Sequence, residues 1–258
     1  MILELLPVWA MALVVAGAMT ALGAASVWLV ELVVPRTRRP PNNDLAGFIL
    51  AVAGAVYAVP LGLIVAEAWE DFADARRAVQ LEAAHIARVA ALTPTLPPAT
   101  ATAIRSELAA YARAVIDEEW PAMARGETPS EADPHLGAIR SLVDGEILQS
   151  PTRDPRLERA ASHIDDLVHV RIDRLLASRQ ALIGPVWALI WIGAVITLVF
   201  CSLFAAEQRG LHALLSGMMG LVISLVIILI LCTDRPFYGS ARLLPDPIET
   251  VLQGRWLQ

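Results

Sequence analysis

Four acidic residues, Glu67, Glu70, Asp71 and Asp74, recur at i, i+3, i+4 and i+7, which places their carboxylates on one face of a helix. They follow directly on a run from Leu45 to Ala66 that has no charged residue, so they begin where such a helix would leave a bilayer. Repeated around an axis by several copies of the chain, they would stack as acidic rings that concentrate cations at a pore mouth. Arg76 and Arg77 follow within two turns and favour anions instead, so charge sign leaves selectivity open. The plainer reading is the water-facing side of an amphipathic helix.

A second group, His163, Asp165, Asp166, His169 and Asp173, is close in sequence. Metal ligation requires such groups to converge in a concave site, and a solvated helix face is the simpler expectation. Cys201 and Cys232 lie in apolar runs, match no metal spacing, and read as small buried hydrophobes. The sequence contains no glycine-rich phosphate loop, nucleophile elbow, Cys-His pair or HExxH helix, so it points to no enzyme, no metal and no cofactor.

The elements that must position these groups belong to two solvents. At 56% hydrophobic residues and 18% charged ones, the chain is too apolar for an ordinary soluble domain and too charged for a wholly buried one. All 20 basic residues are Arg. From Glu70 to Gln180 there are 13 Arg against 18 acids, a balance of −5, and the remainder has 7 against 8, or −1. That acidic excess argues against a nucleic-acid partner, because phosphate binding needs clustered positive charge.

Taken in order, Leu6 to Val34 forms a first span with Trp9 and Trp28 at its two ends, and it lacks the basic start and cleavage site of a removed signal peptide. The loop PRTRRPPNND turns the chain back at Pro35, Pro40 and Pro41. The second span starts at Leu45, is kinked by Pro60, and carries a stripe of small residues at Gly47, Ala51, Ala55, Ala58, Gly62 and Ala66. Such a stripe permits close helix packing in lipid or lines a narrow path. No helix breaker separates this span from the charges after it, so one long helix should leave the bilayer and enter a bundle, with Val65, Trp69, Phe72, Val79, Ala83 and Ile86 marking its apolar side.

That helix should end near Leu92, before TPTLPP. Ile104, Leu108, Tyr111 and Val115 mark a second bundle helix, kinked or ended by Pro121. Asp133-Pro134 and Asp154-Pro155 read as caps with Pro in the first turn. Leu136, Ile139, Val143 and Ile147 face inward from one helix, and Leu157, Ala161, Ile164, Val168, Ile172 and Leu175 from the next. Gly184-Pro185 bends the chain into a third span, Val186 to Ala205. A turn over Glu207 to His212 leads to the fourth span, Leu214 to Cys232, and Asp246-Pro247 caps a short amphipathic tail helix.

The expected class is an all-α polytopic membrane protein with four transmembrane helices and a helical bundle continuous with helices 2 and 3. Its parts are residues 6–69 (helices 1 and 2), 70–181 (bundle), 182–233 (helices 3 and 4) and 234–258 (tail). An even number of spans puts both termini on the bundle side. Arg76, Arg77, Arg171, Arg174, Arg179, Arg235 and Arg242 lie there, against Arg36, Arg38, Arg39 and Arg209 opposite, which favours cytoplasmic termini.

Several pieces of the chain now fit one pattern: Asn42-Asn43, the run GAVYAVPLGLIVAEAWEDF, Glu82-Ala83, LPP followed by Tyr111, EEWPAMARGE with Glu119, Trp120 and Pro121, and Pro185 with Trp187. The ending Asp234-Arg235-Pro236-Phe237 with Gly239 completes it. Across nearly its whole length the sequence resembles the uncharacterised bestrophin-like domain family of bacterial and plant membrane proteins. It departs at the tail, where Ile248 stands in place of the usual aromatic. The resemblance implies two spans, a helical soluble region, two more spans and a tail. True bestrophins, pentameric anion channels, share that order, but their aromatic constriction has no counterpart in a second span that offers only Phe48 and Tyr57.

The resulting expectation is a homo-oligomeric protein of the bacterial inner membrane, in contact with lipid and conducting a small ion along the second helix. The alternative is a membrane-anchored scaffold whose bundle binds a cytoplasmic protein partner. Asp234, Arg235, Pro236, Phe237 and Gly239 either end the fourth span and turn the chain or act as a latch.

Overall fold

The computed structural model describes residues 7–34, 43–149, 154–204 and 208–254. The proline- and arginine-rich loop with Pro35, Arg36, Arg38, Arg39, Pro40, Pro41 and Asn42, together with Glu207, lies outside the described residues. The helices are α1 (Val8–Val33), α2 (Asn43–Leu92), α3 (Pro98–Ala114), α4 (Trp120–Ala124), α5 (Asp133–Gln149), α6 (Pro155–Ala177), α7 (Gly184–Leu203), α8 (Arg209–Thr233) and α9 (Asp246–Leu252). Among the described residues there is no strand. α1, α2, α7 and α8 are each long and apolar enough to cross a membrane. The chain divides into two compact units, a membrane unit of Met1–Glu70 with Ala181–Asp234 and a bundle unit of Asp71–Gln180 with Arg235–Gln258.

α2 is unbroken over 50 residues, about 75 Å of helix, with Pro60 inside it. Its apolar part belongs to the membrane unit, and its continuation past Glu70 belongs to the bundle unit. α6 and α7, by contrast, are separate helices, because Pro185 fixes the start of α7 and residues 178–183 are not helical.

The membrane unit is held by close approach of α1 and α8. A Cβ on Gly23 would collide with the carbonyl of Ser216, and one on Gly220 with the carbonyl of Met19. One on Gly217 would stand 3.3 Å from the carbonyl oxygen of Thr20. Lipid supplies no hydrophobic drive between helices, so dense backbone contact at small residues does the work instead. Met11, Val15, Met19, Ile190, Ala194, Leu198, Ile223, Ile227 and Ile230 fill the space between. Buried hydroxyls are satisfied locally: Ser202 donates to the Leu198 carbonyl and pairs with Ser26, and Ser224 donates to Leu221. Arg209 at the head of α8 donates to Glu31 near the end of α1 at 2.9 Å. His212, placed by sequence in a turn, is buried inside α8, because the helix starts before the first apolar residue rather than at it.

The bundle unit packs the second part of α2 with α3, α5 and α6 around Val79, Ile86, Ile104, Leu108, Ile139, Val143, Ile164 and Leu167, and Phe237 and Ile248 of the tail join this core. Three expected inward positions are corrected. Ile147, Val168 and Ile172 are exposed, and so is Trp69 on α2. On α6 the buried stripe is Leu157, Ala160, Ile164, Leu167, Arg171, Arg174 and Ala177, with Val170 beside it. Two of its members, Arg171 and Arg174, are arginines, so tracking apolar residues alone rotates the face by about one position. Asp154 caps α6 by accepting from the Arg156 N–H at 2.9 Å, whereas Asp246 stands inside α9, whose cap is Pro245.

Candidate functional site

α2 presents its small residues outward. A Cβ on Gly47 would stand 3.7 Å from the Phe204 ring, while one on Gly54 or Gly62 would meet nothing within 4 Å. Ala51, Ala55, Ala58, Gly62 and Ala66 are exposed, and none of the most apolar window of α2 is buried by the rest of the chain. The opposite side of α2 does touch its neighbours. Tyr57 lays its ring on Gly193 and donates its hydroxyl to the Ile190 carbonyl at 2.7 Å, and Leu61, Ile64 and Val65 pack on the membrane core. Tyr57 is thereby turned toward α7, away from the small-residue face.

The step of four and three that defines this stripe continues from Ala66 to Glu70, Asp74 and Arg77. Glu67, Glu70, Asp74, Arg76 and Arg77 are exposed, and Asp71 is half-buried. Arg77 and Asp74 form an ion pair at 3.1 Å. Both line a cleft of ≈ 370 Å³ whose other wall carries Asp173 and Gln180. The structure therefore brings Asp74, Arg77 and Asp173 together and leaves Glu67, Glu70 and Arg76 in the open.

The strongest electrostatic feature of the bundle unit lies in its core. Glu82 of α2, Glu119 and Arg174 are fully buried, with Arg171 nearly so. Arg174 donates through Nε to Glu82 at 2.5 Å, through Nη2 to Glu119 at 2.7 Å, and through Nη1 to the Met123 sulfur at 3.2 Å. Its guanidinium carbon stands 5.4 Å from the Trp120 ring centroid. Arg171 bridges Glu119 and Asp133, each at 2.5 Å. Tyr111 donates to Glu82. Two buried carboxylates thus face two buried guanidiniums, and Asp133 closes the network at the rim.

Burial alone would raise the Glu119 carboxyl, but Arg174 and Arg171 outweigh it and hold its pKa below the ordinary value. Burial would likewise lower Arg174, yet Glu82 and Glu119 raise it and keep it charged. Burial and the adjacent Glu82 carboxylate push the Tyr111 phenol well up, so it stays a donor.

Trp120 of the first family motif and Phe237 of the second meet in this unit, whereas Asp234 belongs to the membrane unit. Trp120 stacks edge-on against Phe237, with centroids 5.5 Å apart, and donates its indole N–H to the Leu243 carbonyl at 3.1 Å. Glu119 is swung inward by a π-helical turn over Val115–Glu119, in which the Trp120 N–H reaches back to the Val115 carbonyl. The wider turn accommodates Pro121, which lacks an N–H and crowds the carbonyl four residues earlier, so the helical path passes Pro121 rather than ending there. In the second motif, Asp234 accepts from the Leu182 N–H at 2.6 Å, and the Pro236 carbonyl accepts from Leu243 at 2.7 Å. Arg235 lies over Tyr238, and Gly239 has φ +75°, a left-handed value suited to glycine.

Sequence reasoning missed Glu82, Arg171 and Arg174 as core residues, although a signal was present. Each stands in phase with the apolar stripe of its helix, Glu82 between Val79 and Ile86, and Arg171 and Arg174 after Leu167. Arg171 and Arg174 consequently leave the count of interfacial arginines. The grouping of His163, Asp165, Asp166, His169 and Asp173 divides as well. Asp165 pairs with Arg140, His169 Nδ1 contacts the Asp165 carbonyl, and His163 and Asp166 meet His85 of α2.

A family model for the bestrophin-like domain matches residues 17–248. A search of curated proteins finds no match. Among solved structures, a substituted form of a bacterial bestrophin homologue from Klebsiella pneumoniae superposes with a TM-score of 0.70 at 11% identity, over 95% of this chain and 97% of its own. A second substituted form of that homologue gives a TM-score of 0.68 at 13% identity, over 95% and 96%. A further crystal structure, of a membrane protein, gives 0.70 at 12% identity, over 94% and 97%. At these identities the likeness is one of fold.

Proposed function

The chain belongs to the bestrophin-like domain family, and from that premise we propose that this membrane protein assembles as a homo-oligomer and conducts ions along an axis lined by α2. The observation that carries the reading is the outward face of α2, where Ala51, Ala55, Ala58, Gly62 and Ala66 are uncovered by their own chain and lead at the same helical step to Glu70, Asp74 and Arg77. Small side chains leave room for a narrow conduit between copies, and charges at its end concentrate ions. The reading assigns no catalytic step. It places the chain in the bacterial inner membrane with the bundle and both termini in the cytoplasm, supported by Arg76, Arg77, Arg179, Arg235 and Arg242 on the bundle side.

The alternative is a scaffold whose four spans serve only as an anchor for a docking bundle. It asks for a closed four-helix membrane unit, and the exposed small-residue face of α2, opposite Tyr57, Leu61 and Ile64, favours contact with other copies instead. Liposomes holding the purified oligomer test the proposal. Potassium or chloride flux should depend on the protein, and Glu70→Arg should change the ratio of the two fluxes while leaving assembly intact. No flux of either ion from a verified oligomer contradicts it.

A further inference from the structure

Away from the outward face of α2, the bundle unit holds two histidines without hydrogen-bond partners. His85 of α2 has a side chain 9% exposed, and His163 of α6 one 29% exposed. The Nδ1 atoms of both are buried and accept or donate no hydrogen bond. Both approach the same carboxylate oxygen, Oδ2 of Asp166, at 3.8 Å from His85 and 3.6 Å from His163. These separations are too long for a hydrogen bond. They are close to the edge of a coordination tetrahedron, roughly 3.3 Å for ligands about 2.0–2.1 Å from zinc.

We propose that His85, His163 and Asp166 form a binding site for a divalent transition metal of the zinc class, which joins α2 to α6 within the bundle unit. The three ligand atoms already lie within 4.8 Å of one another. His163 and Asp166 are three residues apart, hence on one helical face, and His85 is delivered from the neighbouring helix. Two imidazoles and one carboxylate select a borderline-soft ion over calcium or magnesium, which ask for oxygen-rich shells. Asp166 is 49% exposed, so the metal has a route in, and water completes a fourth position. Burial keeps the pKa of His85 low, with Arg88 and His163 adding to that against the pull of Asp166, so its lone pair is available for a metal. The ion would also relieve the two unpartnered buried nitrogens, each of which costs free energy as it stands. Neither the helix pattern of α2 nor that of α6 shows this site alone, since the ligands come from both.

The inference is independent of the conduction reading, because a protein without flux would still bind the ion. Full-length protein carrying no histidine tag is stripped with EDTA in detergent and equilibrated with zinc chloride, and bound zinc is measured by mass spectrometry and calorimetry. One zinc per chain is expected. His163→Ala and Asp166→Asn should each weaken it by about tenfold or more, while His135→Ala and His169→Ala leave it unchanged. Cobalt in place of zinc should give the intense visible bands of a four-coordinate site. Melting in EDTA reports whether the variants fold; if one does not, the wild-type stoichiometry and the cobalt spectrum decide alone. Failure of the wild type to hold stoichiometric zinc, or full binding by a folded His163→Ala/Asp166→Asn double variant, overturns the proposal.

Discussion

The helices of the membrane unit meet where side chains are missing, at Gly23, Gly217 and Gly220, whereas those of the bundle unit meet over side chains as large as Arg174 and Tyr111. The difference follows from the solvent. In hydrocarbon, apolar burial gains nothing between helices, and what remains is dense backbone packing with hydroxyls bonded to local carbonyls. In water, apolar burial drives the bundle together. The ionic network inside it adds little net stability, yet removing one member leaves an uncompensated buried charge. One region is therefore sensitive to added volume, and the other to subtracted charge.

Arg174→Ala should break the comparison most severely, because it strands Glu82 and leaves Glu119 with Arg171 alone. A loss of about 3–5 kcal/mol in the bundle unit is expected, read as a lowered thermal transition by circular dichroism, and Arg174→Lys, which keeps the charge but not the fork, should lose less. Cys201 and Cys232 in the membrane unit should keep their wild-type maleimide reactivity in the folded variant. Gly220→Leu is the converse lesion. The backbone of α1 blocks the new side chain, so about 1–3 kcal/mol is lost from α1–α8 packing. Labelling of Cys201 and Cys232 should accelerate while the bundle transition stays in place. Equal effects of the two variants on both readouts would dissolve the distinction.

A smaller effect sharpens it. Since the folded Glu119 carboxyl is held below its ordinary value of 4.5, its contribution is fully present above that pH and is lost as pH falls below it through the folded value. Acid melts should therefore lower the bundle transition, and Glu119→Gln should remove this part of the pH dependence.

The same contrast explains what the sequence disclosed. Uncharged runs of membrane length mark the four spans, and the absence of a breaker between Ala66 and Leu92 marks the continuity of α2. The tight α1–α8 crossing is legible in principle at Ser216, Gly220 and Ser224, each four apart, but a small-residue stripe does not say which helix it meets, and α2 carries a longer one. Inside the bundle, a search for apolar periodicity passes over Glu82, Arg171 and Arg174, because burial of a charge depends on a partner from another helix. Arg174 is 92 residues from Glu82 along the chain, a pairing that no local pattern records. The histidine grouping was half visible for the same reason, since His85 is supplied by a different helix from His163 and Asp166.

The most direct test of the central claim is the mass of the detergent-purified particle, measured by light scattering with the detergent contribution subtracted. A conduit between copies of α2 requires a protein mass several times the 27.8 kDa of one chain. A monodisperse particle of a single chain would contradict it.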